Sequence, residues 1–103
     1  MPKAPLLSET EIAASLAEIP AWMRDGDRLV RRWTFRNFAE ALVFVNRVAE
    51  PAEAMDHHPD IAIHWNEVKL TLWTHASGGL TSKDVALARA IDRLAEERTD
   101  ADA

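Results

Sequence analysis

His57, His58 and His75, three of the four histidines in this 103-residue chain, fall where predicted elements end, and their side chains suit proton transfer. An imidazole ordinarily titrates near pH 6.5, about where a group can both donate and accept protons, and two imidazoles can divide acid and base roles. Loop ends beside a sheet are also where a rigid scaffold presents functional groups. Acid/base catalysis is the first chemistry these residues suggest. A purely structural reading stands beside it: His57 a helix C-terminal cation, His58 a spacer before Pro59, His75 a satisfied polar residue at a strand end. A third reading is zinc held by three imidazoles and a water. The side chains of adjacent His57 and His58 normally diverge, however, so both reaching one ion demands an irregular backbone, and no metal is assigned. His64 falls on the mixed face of a strand and reads as solvated or partner-facing.

The elements that must bring these histidines together are legible from periodicity. Ser8 and Glu11 form a capping box ahead of Ile12, Leu16 and Ile19 at helical spacing, and Pro20 closes that helix. Asp25-Gly26-Asp27 separates two short strand-forming runs, 22–24 and 28–35, and predicts a hairpin. Asn37 with Glu40 caps a long helix whose apolar stripe is Phe38, Ala41, Leu42, Val45, Val48 and Ala49; Pro51 should kink or shorten its end. Period-two alternation follows: Ile61, Ile63 and Trp65 on one face, then Val68, Leu70 and Leu72, with a turn near Asn66-Glu67. Thr81 to Asp84 caps a last helix carrying Val85, Ala88, Ile91 and Leu94, and residues 99–103 read as a frayed tail. The order helix, two strands, helix, two strands, helix predicts an α+β fold, a four-stranded antiparallel sheet with helices packed on one face. Closing the second hairpin sets the start of the third strand beside the end of the fourth, so the three imidazoles can converge.

Length and charge bound the function. One domain over residues 1–103 buries roughly two thirds of its unfolded surface and leaves room for one compact site or a site at a self-interface. Hydrophobic residues at 48% and charged residues at 28% predict a folded globular protein. A net charge of −5 with no Lys/Arg run disfavours direct nucleic-acid binding. The lack of cysteine removes disulfides and thiolate metal sites and fits a reducing compartment. Neither a signal-peptide stretch nor a window of roughly 20 apolar residues is present, so no membrane span and a cytoplasmic location are expected. The open sheet face, with Lys69, Thr71, Trp73 and His64, is mixed rather than fully polar and suggests a covering partner subunit.

Glu53-Ala54-Met55-Asp56-His57-His58-Pro59, then five residues to Trp65, nine more to His75 and eight more to Asp84, resembles the signature of the pterin-4a-carbinolamine dehydratases. Similarity extends to Trp22, Asn66, Thr74, Gly78-Gly79-Leu80-Thr81 and Ile91-Asp92, and covers nearly the whole chain. The resemblance implies a dimer or tetramer, no metal or organic cofactor, and dehydration of a 4a-hydroxytetrahydropterin to the quinonoid dihydropterin that a reductase recycles for aromatic amino acid hydroxylation. It implies His57 and His75 as acid and base and His58 as a pterin holder. Asp56 and the segment Trp73, Thr74, His75 and Ala76 would line the pocket, partly through backbone groups, and Trp22 would stack on or wall the ring. Glu53 would orient a histidine or bind the guanidine-like edge of the pterin, or simply be solvated. Asp84 reads as a supporting cap more than as a catalyst. Two departures stand out: Ala76, where many relatives carry an acid, and Pro51. Related folds also serve as non-catalytic binding or assembly modules, the alternative function. Because the histidines sit outside the apolar stripes, replacing any one by alanine is expected to cost about 1 kcal/mol or less in stability.

Overall fold

A computed structural model describes residues 4–102. The Ser8 hydroxyl accepts the Glu11 N–H at 3.1 Å and the Glu11 carboxylate accepts the Ser8 N–H at 2.8 Å, which starts helix α1 (Glu9–Glu18). The Ser8 amide, then its hydroxyl, hold the Glu11 carboxyl below the ordinary carboxylate range. Their contribution is present at neutral pH and is lost as pH falls through the lowered value. Ile19 caps the helix ahead of Pro20. Strands β1 (Met23–Asp25) and β2 (Arg28–Thr34) close around Gly26, whose φ of 60° suits a tight two-residue turn.

Asn37 caps helix α2 (Phe38–Met55) by accepting the Glu40 N–H at 2.9 Å, while the Glu40 side chain turns to Arg36. Strands β3 (Asp60–His64) and β4 (Glu67–Leu72) follow, then a 3-10 turn (His75–Ser77) and helix α3 (Ser82–Asp102). All neighbours in the sheet order β1-β2-β4-β3 are antiparallel. Leu29 and Trp33 of β2 and Val68, Leu70 and Leu72 of β4 share one face. They form a single core with Ile12 and Ile19 of the α1 region, Ala41, Phe44 and Val48 of α2, and Leu87, Ala88 and Ile91 of α3. The predicted α+β architecture is the one observed. Burying each large side chain in this core contributes roughly 1.5–3 kcal/mol, so the core fixes which way every element faces.

Four details differ from the sequence reading. The buried stripe of α2 is Ala41, Phe44, Val48 and Ala52, with Phe38 and Leu42 left exposed. Phe44 decides this rotation, because its ring lies 4.9 Å from Trp33 and 5.1 Å from Phe35. Pro51 does not end α2: it deletes one backbone donor, yet helical structure continues to Met55. The second hairpin turns at Trp65-Asn66, with Trp65 at φ 55° and 71% exposed rather than in line with Ile61 and Ile63. Helix α3 is helical through Asp102, beyond Thr99 where a frayed tail was expected; Ala103 lies outside the described residues.

Candidate functional site

The end of α2 sets the position of the first histidine. Asp56 takes a left-handed conformation (φ 49°), the Asp56 N–H donates to the Glu53 carbonyl at 3.2 Å, and the His57 N–H donates to the Ala52 carbonyl at 3.0 Å. This pair of bonds is a Schellman closure, and aspartate tolerates the left-handed position better than branched residues do. Asp56 therefore has a local backbone role, and its side chain is exposed. Asp56→Gly should keep the melting temperature or raise it slightly, whereas Asp56→Val should cost about 1–3 kcal/mol through strain at positive φ. A melt of Asp56→Val coincident with wild type would refute this account of the turn.

The turn buries His57 to 8% exposure, although its position lies outside the apolar stripes of the sequence. Its Nε2 lies 2.6 Å from Oδ1 of Asp84, a carboxylate with 0% exposure. Asp84 Oδ2 accepts the Thr74 hydroxyl at 2.8 Å and the Thr81 N–H at 2.9 Å. Because the Thr74 hydrogen points to Asp84, the Thr81 hydroxyl 2.8 Å away donates to Thr74, and it accepts the Lys83 N–H at 3.2 Å. A buried carboxylate persists only where donors surround it, and here three elements supply them. Asp84 is thus both the cap of α3 and the partner of His57.

His58 and His75 stand at the surface beside this network. His58 Nε2 is 3.3 Å from Glu53 Oε2, one turn back on α2, and both side chains are exposed. His57 and His58 engage different carboxylates. His75 opens the 3-10 turn, which the left-handed Gly78 and the pairing of Thr74 with Gly79 hold shut. Its ring lies 3.9 Å from that of Trp73, whose indole N–H donates to Asp60 Oδ2 at 3.3 Å. The Asp84 network thus ties His57 to Thr74, the residue before His75. Trp73 ties the His75 ring to Asp60, two residues after His58. Both ties gather at one end of the sheet. Among the described residues, no three His, Asp or Glu side chains stand together as metal ligands, and no helix is long and apolar enough to cross a membrane.

Two residues expected in the pocket are buried. Thr74 is buried, its hydroxyl is bound to Asp84 and Thr81, and its N–H and C=O pair with the turn to Gly79, so its polar groups hold the scaffold before His75. Trp22 is 3% exposed, packs edge-to-face on Trp33 and donates its indole N–H to Asp92 at 2.8 Å, so it is part of the core. Asp92 also accepts from Arg31 at 2.5 Å. Ala76 is exposed next to His75. Sequence reasoning reads Thr81 only as part of the α3 cap and misses its bond to Thr74, the role of Asp60 and the pairing of Arg31 with Asp92. For Arg31 a signal existed: a charge at a core-facing position of β2, between Leu29 and Trp33, demands a buried-side partner.

The profile of the family described as "Pterin 4 alpha carbinolamine dehydratase" matches residues 5–94. A protein of Thermomicrobium roseum, provisionally named a pterin-4-alpha-carbinolamine dehydratase, is 56% identical over 86% of this chain and 96% of its own. A provisionally so named protein of Picosynechococcus is 51% identical over 85% and 96% of the two chains. Among solved structures, a transcriptional coactivator/pterin dehydratase from Brucella melitensis superposes with a TM-score of 0.83 at 30% identity, covering 87% of this chain and 98% of that one. A pterin dehydratase-like protein that is a RuBisCO assembly factor in the α-carboxysome gives a TM-score of 0.61 at 27% identity, covering 73% and 89%.

Proposed function

Because the chain belongs to the pterin-4-alpha-carbinolamine dehydratase family, we propose that it removes water from a 4a-hydroxytetrahydropterin, with His57 and His75 as the acid and base. The observation that carries this reading is the buried Asp84 fixing His57 beside two exposed imidazoles, His58 and His75. In the reaction the C4a–O bond breaks, the departing hydroxyl takes a proton, and the N5 proton leaves as the C4a–N5 double bond forms. The protein has only to give one proton and take another, so two positioned imidazoles suffice. With its Nε2 committed to Asp84, His57 works through Nδ1, and Asp84 holds that orientation as a carboxylate orients a catalytic histidine elsewhere. His58, paired with Glu53, holds the pterin, whose guanidine-like edge suits the Glu53 carboxylate. The quinonoid product is then a substrate for a reductase in tetrahydropterin recycling.

Following 4a-hydroxytetrahydropterin decay by absorbance, with and without protein, tests the proposal. Acceleration is expected, undiminished by exhaustive chelation. No acceleration would overturn the enzyme reading, and loss in EDTA restored by zinc would overturn the proton-only mechanism. No acceleration would also favour a binding or assembly role, the second reading, to which the RuBisCO assembly factor lends support.

We also propose a homodimer or homotetramer in a cytoplasmic setting. Phe38, Leu42 and Val43 are exposed together on one flank of α2, and the edge strand β3 leaves Ile61 exposed ahead of Trp65. Apolar groups clustered this way on a small domain favour a covering copy. Sedimentation at micromolar concentration should give a multiple of the chain mass, and a single-chain mass would count against it.

A further inference from the structure

Trp73 sits at the centre of an arrangement that the reaction chemistry does not itself require. Its indole faces the His75 imidazole with ring centroids 3.9 Å apart and planes 40° apart. The Arg28 guanidinium carbon lies 4.4 Å from the centroid of the same indole. The indole N–H donates to Asp60 Oδ2 at 3.3 Å. These partners come from different strands: Arg28 opens β2 and Asp60 opens β3, and Trp73 follows β4, the strand between them in the sheet. Arg28 is exposed and Trp73 half-buried, so packing into the core does not hold the indole in place. An aromatic ring on a sheet surface has two χ angles to lose; a cation against its face and an acceptor on its N–H select one orientation.

We propose that Arg28 and Asp60 are positioning residues for the acid/base step, acting through Trp73 to fix the His75 imidazole. The inference rests on the dehydratase reading for its kinetic consequence, though not for its geometric one. His75 heads a three-residue 3-10 turn at the surface, and of its ring contacts in the structure the one to Trp73 is the closest described. Without that contact the imidazole samples several rotamers, and only a fraction of them meets the reacting atoms. Asp60 adds a second effect: it lies one residue beyond Pro59 in the segment that carries His58, so the Trp73 N–H bond spans the two histidine-bearing segments. The expected signature is on turnover, since the indole constrains a reacting group more than it offers affinity.

The test uses the full chain with Arg28→Ala, Arg28→Lys, Asp60→Ala and Asp60→Asn. Arg28→Ala and Asp60→Ala should each lower kcat by about three- to tenfold with KM within about twofold, while lysine and asparagine, which keep a cation over the ring and an acceptor for the N–H, should restore most of the loss. In the substrate-free protein, the His75 ring protons should be shifted by the indole ring current, and should move toward free-imidazole values in the two alanine variants. His75→Ala supplies the baseline that separates this inference from the dehydratase reading. If that variant keeps full turnover, the catalytic role of His75 falls, and the NMR signals alone decide whether Arg28 and Asp60 hold the ring. If His75→Ala is impaired, then either unmoved ring signals or full kcat in Arg28→Ala and Asp60→Ala overturns the proposal.

Discussion

Replacing His75 with alanine is expected to lower turnover by about 10²-fold or more, the usual scale for a positioned acid or base, while stability changes by about 1 kcal/mol or less. The second half follows from exposure: the ring contacts Trp73 and is otherwise at the surface, so removing it leaves no cavity and no buried orphan. His57→Ala should cut turnover similarly but behave differently in a melt. At 8% exposure, with its Nε2 on the fully buried Asp84, His57 cannot be deleted without depriving a buried carboxylate of a donor. That costs about 1–3 kcal/mol, or roughly 4–24 °C of melting temperature for a domain of this size. The expectation of at most 1 kcal/mol for every histidine therefore fails for His57. His58→Ala, at an exposed pair with Glu53, should raise KM more than it lowers kcat and leave the melt unchanged within about 0.5 kcal/mol. Steady-state rates and melts on the three variants decide this. Full turnover in folded His57→Ala and His75→Ala would make the cluster structural and remove the proposed mechanism.

The contrast between these variants marks where sequence reasoning reached its limit. Element order, the capping boxes and the core faces of β4 and α3 were readable because each depends on residues within one or two turns. The convergence of the histidine-bearing segments was readable too, since a closed hairpin puts Asp60 opposite Thr71. Burial of His57 was not, because it depends on three local facts acting together. Asp56 has to turn left-handed, the chain must then reverse against α3, and Asp84 must be free to face inward. Thr74 is ambiguous for a related reason: a threonine beside a candidate catalytic histidine is equally suited to a ligand and to the scaffold, and the 2.8 Å bond to Asp84 reveals the scaffold role. The rotation of α2 depends on Phe44 meeting Trp33 and Phe35, contacts from distant sequence positions to which a helical-wheel argument gives no weight. The placement of Trp22 in the core was not legible either, because its N–H bonds to Asp92, eight positions along α3 from Asp84 and distant in sequence.

Asp84 carries the largest expected effect, because the same carboxylate serves folding and holds His57, the proposed acid or base. Asp84→Ala orphans the Thr81 N–H, the Thr74 hydroxyl and the His57 Nε2 in one step, at a position with 0% exposure. Breaking such a buried set is expected to cost about 3–5 kcal/mol, equivalent to melting roughly 12–40 °C lower. Turnover should fall with it, by about 10²-fold when assayed below the melt, since His57 loses the bond that orients it. A cap alone would lower the melt and spare the rate, so the two readouts separate the roles. Asp84→Asn sharpens the separation: it keeps the shape and one oxygen, but its amide donates where a carboxylate oxygen accepted. It should melt closer to wild type than the alanine variant and still lose turnover, because it cannot accept from His57, Thr74 and Thr81 together. An asparagine variant with full activity would show that the orientation of His57 does not matter to the rate, and an alanine variant that melts with the wild type would show that the network does not hold the site together.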